Sequence, residues 1–79
     1  MKLAKRKLIS RIANLDDSGI DENFTDIIRE GISLLNLDLT EVSKIFGAPN
    51  PTISRWLDGS VIPPAAKLIL GFLKDELEK

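Results

Sequence analysis

Apolar residues recur along this chain at intervals of three and four, interrupted by short polar breaks, and that spacing predicts helices throughout. Leu8, Ile9, Ile12 and Leu15, with Leu3 further back, make one stripe, so residues 2–14 read as an amphipathic helix. Asp16-Asp17-Ser18-Gly19 is a turn. Phe24, Ile27, Ile28, Ile32 and Leu35 mark a second helix over residues 22–35, with Asp21 expected as its N-cap. Gly31 interrupts that helix at some cost, a sign of close packing. A third, short helix is expected over residues 39–46. Asp38 caps it, Glu41 stands where a capping box needs its partner, and Gly47 is the stop. Asn50-Pro51 opens a fourth helix, with proline expected at its first position, and Asp58-Gly59 closes it. Pro63-Pro64 opens a fifth over residues 63–78, with Leu68, Ile69, Phe72 and Leu73 as its inner stripe and Leu70 and Leu77 in excess of it. No hairpin signal, repeat or low-complexity segment is visible, so the chain reads as all-α.

Composition narrows the function classes. The 79 residues have room for one domain with a modest core. With no cysteine and no histidine, neither a disulfide nor a Cys/His zinc site is expected to reinforce it. Lack of cysteine fits a cytoplasmic location. The basic start lacks the apolar run of a signal peptide, and no segment approaches the ~20 apolar residues of a membrane span. An enzyme is not expected: the carboxylates are scattered over helix surfaces, and no glycine-rich phosphate loop follows a strand. No cofactor or metal is implied.

The net charge of −1 argues against nucleic-acid binding as a bulk property, but the charge is unevenly placed. Lys2, Lys5, Arg6, Lys7 and Arg11 precede the first acid, Asp16; all 12 acids and the other cations follow. The basic segment has three readings: phosphate contacts through Lys2, Lys5, Arg6 and Lys7, binding to an acidic partner, or the wet face of an amphipathic helix.

Two short helices joined by a glycine-containing turn, the second with a polar outer face, make a helix-turn-helix pattern, and residues 37–59 have this form. On the fourth helix Ile53, Trp56 and Leu57 share one face. Pro51, Ser54, Arg55 and Asp58 share the other, with Asn50 and Thr52 at the N-terminal mouth. Trp56 is in phase with Ile53 and is expected in the core rather than stacked on a base.

Residues 37–63 resemble the Cro/CI-type (XRE-like) helix-turn-helix of bacterial and phage regulators. Leu37, Val42, Phe46 and Gly47 match its first helix and turn. Thr52-Ile53-Ser54-Arg55-Trp56 matches its recognition helix, Gly59 the closing turn and Pro63 the start of the next helix. Residues 63–70 also resemble the following helix of antitoxin-type regulators. The chain departs from the family at Leu39, where glutamine is usual, and at Ser43, where alanine is usual. It departs again at Pro49 and Pro51 around Asn50, and at Ser60-Val61-Ile62, where basic residues are frequent. These departures bear on affinity and target more than on fold.

The resemblance implies a five-helix, lambda-repressor-like domain with an extra basic N-terminal helix, binding double-stranded DNA as a homodimeric repressor by operator occupancy. The implied DNA-binding residues are Asn50, Pro51, Thr52, Ser54 and Arg55, with Thr40 and Lys44 on the preceding helix. Arg55 suits bidentate contact with guanine; its alternative is a surface charge or a salt bridge to Asp58. Asn50 suits a helix cap or adenine. Thr52 and Ser54 suit phosphate, a thymine methyl, or plain solvation. The alternative function is a protein-interaction module on the same fold, an antitoxin-like or anti-repressor partner. The acidic balance after Asp16 and the apolar Val61-Ile62 pair favour it.

Overall fold

A computed structural model describes residues 3–79; Lys2 lies outside them. In order, the helices are α1 (Leu3–Ala13), α2 (Ile20–Leu35), α3 (Leu39–Phe46), α4 (Asn50–Asp58) and α5 (Ala66–Glu78), with no strand among the described residues. None of these helices is long and apolar enough to cross a membrane.

The turn before α2 shows why that helix starts earlier than its composition implies. Asp16 accepts hydrogen bonds from the Ser18 hydroxyl and the Gly19 amide, both at 2.9 Å, which fixes the turn. Gly19 then takes the N-cap position and Ile20 is buried as the first helical residue. Asp21 is therefore not the cap; it sits in the first turn with Glu22, where carboxylates suit the helix dipole. At the other end Asn36 adopts the left-handed conformation (φ 54°), and its amide and that of Leu37 return to the last carbonyls of α2.

The core is built on α2. Phe24, Ile27 and Ile28 are fully buried, joined by Leu8 of α1, Val42 of α3, Ile53 and Trp56 of α4, and Ala66, Ile69, Leu70, Leu73 and Leu77 of α5. Ile32 and Leu35, expected in the same stripe, are partly buried against it. On α1 the stripe shrinks to Leu8, with Ile9 and Ile12 half-buried, while Leu3 is 65% exposed. The α5 stripe also differs from expectation. Leu70 and Leu77 point inward, whereas Leu68 and Phe72 are 58% and 43% exposed. α5 also begins after the prolines: Pro63 is buried and its carbonyl accepts from the Ala66 amide, so Pro63 and Pro64 form the approach to the helix rather than its first turn.

Gly31 explains the phase of α5. A Cβ built on it would stand 2.6 Å from Cδ1 and 2.7 Å from Cδ2 of Leu73, so the missing side chain lets α5 seat Leu73 directly on α2.

α1 and α4 take opposite flanks of α2. At about 100° per residue, Asn23 and Glu30, which meet Arg11 of α1, lie on one side of the α2 wheel. Ile32 and Asn36, which line a cleft with Ser54 and Leu57 of α4, lie about half a turn away. The molecule measures 31 × 28 × 17 Å, a slab with α3 and α4 at one end, α2 and α5 in the middle and α1 at the other.

The Gly31–Leu73 contact yields a stability prediction. Gly31→Ala gains helix propensity worth up to ~1 kcal/mol but forces Leu73 from a fully buried seat, an overpacking cost of ~1–3 kcal/mol, so the variant should be net destabilised. Gly71→Ala on α5, where a Cβ meets nothing within 4 Å, should instead be neutral or stabilised by up to ~1 kcal/mol. Urea unfolding of both variants checks the pair; equal stability of Gly31→Ala and the parent would contradict the packing.

Candidate nucleic-acid interface

The α3–α4 unit is assembled by local hydrogen bonds. Asp38 accepts from the Glu41 amide at 2.8 Å and Glu41 accepts from the Asp38 amide at 3.1 Å, a complete capping box at the start of α3. Gly47 ends α3 in the left-handed conformation (φ 66°), where a side chain would be strained. Ser43 braces the turn. Its carbonyl accepts from the amides of Gly47 and Ala48, and its hydroxyl donates to the carbonyl of Ala48. One residue thus ties the end of α3 to the entry of α4. The residue itself is visible in the sequence; its bond to Ala48 needed the folded turn.

α4 begins at Asn50, with Pro49 as the N-cap and no side-chain cap. Asn50 is therefore the first helical residue and not the cap, and Pro51 is the second. Proline is still harmless there, because the first amides of a helix have no partner inside it. Gly59 closes α4 in the left-handed conformation (φ 80°).

The inner ridge of α4 is locked. Ile53 is fully buried and Trp56 is 4% exposed. The indole meets Phe24 of α2 edge-on at a centroid distance of 5.9 Å and Phe46 of α3 at 6.4 Å. The outer ridge is open: Asn50, Pro51, Ser54 and Arg55 are exposed, and Thr52 is half-buried. Thr40 and Lys44, one turn apart and opposite Val42, are exposed on α3. Ser54 also borders the cleft to α2, beside Arg29, Ser33 and Asn36.

Arg55 makes no salt bridge to Asp58. The Asp58 carboxylate instead accepts from the Ser60 amide at 2.8 Å. Hydrogen bonds from the Ser60 side chain and amide, with a smaller contribution from the Arg55 charge, hold its pKa below the ordinary carboxylate value. Among the described residues the ion pairs involve Arg11, Lys67, Lys74 and Lys79, so the Arg55 guanidinium is unengaged.

The remaining candidates lie elsewhere. Arg6 and Lys7 are exposed on α1 and Lys5 is half-buried there, on the flank of α2 away from α4. The structure does not bring them together with the α3–α4 set. Among the described residues no cluster of three or more metal-ligating side chains is present. The chain matches no family model, no curated protein and no solved structure at a significant level.

Two predictions arise from this unit. Ser43→Ala removes the hydroxyl that braces the turn and should cost about 1 kcal/mol, read from the urea midpoint. The Asp58 pKa is lower folded than unfolded, so its carboxylate adds stability above pH ~4, and that contribution is lost as pH falls through the folded value. Asp58→Asn should therefore flatten the acid limb of the stability–pH curve, measured by thermal unfolding at stepped pH; identical limbs would contradict the assignment.

Proposed function

We propose that this chain is a sequence-specific DNA-binding regulator, with α3 and α4 as a helix-turn-helix and α4 as its recognition helix. The observation that carries this reading is the division of α4. Ile53 and Trp56 anchor one ridge in the core, which leaves Arg55 exposed and unengaged on the other. A recognition helix needs that arrangement, because a rigid inner face fixes the angle at which the outer face enters the major groove. Arg55 would read guanine, and Asn50, Thr52 and Ser54 would touch bases or phosphates near the N-terminal end of α4. Pro51 would set the approach of that end, and Thr40 and Lys44 would contact the backbone from α3.

The regulator would act as a dimer that occupies an operator and blocks access to it. Leu68 and Phe72, adjacent and outward on α5, supply an apolar surface for a second copy. The same surface, with Val61 at 39% exposure, favours the second reading, a protein-interaction module that binds another chain and not DNA.

A gel-shift titration against fragments of the source genome tests the proposal. The parent should prefer some fragments over others. Arg55→Ala should lose ~1–3 kcal/mol of that discrimination, roughly 5- to 150-fold, while its melting temperature is unchanged. Uniform binding by both proteins, or stoichiometric capture of one protein with no fragment retained, would overturn it.

A further inference from the structure

The cations of α1 have no role in the interface above, and their placement is informative. α1 carries Lys5, Arg6, Lys7 and Arg11 and no carboxylate. Arg11 is engaged internally, donating to Asn23 at 3.1 Å and pairing with Glu30 at 3.7 Å. Arg6 and Lys7 point away from Leu8 into solvent, with Lys5 at the edge. The same outer side continues with Ser10 and Asn14, whose amide donates to the Ser10 hydroxyl at 3.3 Å. The exposed large apolar residue of α1 is Leu3, at its very start.

What separates α1 from α4 matters as much. The outer face of α2 carries exposed Glu22 and Asp26 between the two flanks, with exposed Arg29 on the α4 side and Glu30 paired with Arg11 on the α1 side, so the way across it is acidic at its centre. Across α5 the exposed residues are Leu68, Phe72, Asp75 and Glu78, with Lys67 exposed on the side of its partner Asp17. A single straight duplex on α4 would reach α1 only by lying against like charge or against apolar surface, and both are unfavourable.

We propose that the outer face of α1 is a second, sequence-independent site for a DNA phosphate backbone, served by a duplex segment other than the one at α4. Lysine, arginine, a hydroxyl and a carboxamide on one face are the groups that contact backbone phosphates. Apart from Leu3 at its first position, the face carries no aromatic or aliphatic anchor of the kind a protein interface uses, and it has no continuous apolar stripe of the kind an interfacial membrane helix uses. That this site is the second one, so that one molecule joins two segments, rests on the reading of α4 above; the α1 site itself does not.

The test uses the full chain and a fluorescently labelled mixed-sequence duplex about two helical turns long. Anisotropy titrations are run across a salt series for the parent, Arg6→Gln/Lys7→Gln and Arg55→Ala. The α1 variant should lower the slope of log K against log salt by about 2, with roughly tenfold weaker binding at low salt. Arg55→Ala should lower it by at most about 1. The two sites share no residue, so the losses should add in the triple variant. With one duplex on beads, the parent should recruit a second labelled duplex and the α1 variant should hold the first but fail to recruit. An unchanged slope and unchanged recruitment in the α1 variant would overturn the proposal. So would poly-glutamate binding abolished by the same substitutions with no change in duplex affinity, which marks an acidic protein as the occupant. A slope lost through α1 while Arg55→Ala changes nothing would leave this site standing and remove the α4 reading instead.

Discussion

The indole of Trp56 is the contact on which the rest of the arrangement depends. It lies edge-on to Phe24 and to Phe46, so one side chain joins α4 to both α2 and α3. Edge-to-face aromatic pairs are worth about 0.5–1.5 kcal/mol each beyond the area they bury, a large share of the net stability a chain of 79 residues commands. Geometry matters more here than energy. A nine-residue helix is too short to hold its own rotational setting, and Trp56 with Ile53 sets it. The exposure of Arg55 is a consequence of that clamp, not an independent feature.

The helices also sort the surface charge. α2, at the centre of the packing, turns its carboxylates outward between two flanks that carry cations. The net charge of −1 therefore conceals a surface in three parts: a basic end, an acidic middle and a mixed α3–α4 end. Such a pattern steers partners locally even when the whole molecule is close to neutral.

How much of this could be read from the sequence follows the range of the forces involved. The capping box of Asp38 and Glu41, the stop at Gly47 and the inward phase of Trp56 were legible because each depends on neighbours within a few positions. Gly31 announced a close approach without naming its partner. The phase of α5 was not legible. Leu68, Ile69, Leu70, Phe72, Leu73 and Leu77 cover more than one face, and the tertiary packing, with Leu73 seated on Gly31, selects which of them is buried. Likewise Asp21 has good N-cap chemistry, but the Asp16 turn and burial of Ile20 start the helix earlier. The salt bridge from Arg55 to Asp58, one alternative reading of that arginine, is absent, and the Asp58 carboxylate accepts from the Ser60 amide instead. The placement of α1 opposite α4 is a tertiary fact with no local signature. For the candidate interface, the residue set on α3 and α4 came from the sequence, and the fold showed that the α1 cations are not contiguous with it.

Gly47 and the Ser43–Ala48 bond leave only Ala48 and Pro49 between Gly47 and α4. A connector this short tolerates almost no change in length. Adding or deleting one residue there would break the brace and re-index α4 by about 100°, turning Ile53 and Trp56 out of their seats in the core. The stretch from Ser60 to Ala65 is longer and is tied to α4 only through the Ser60 and Val61 amides, so natural insertions should accumulate after Val61 and be purged from the other connector.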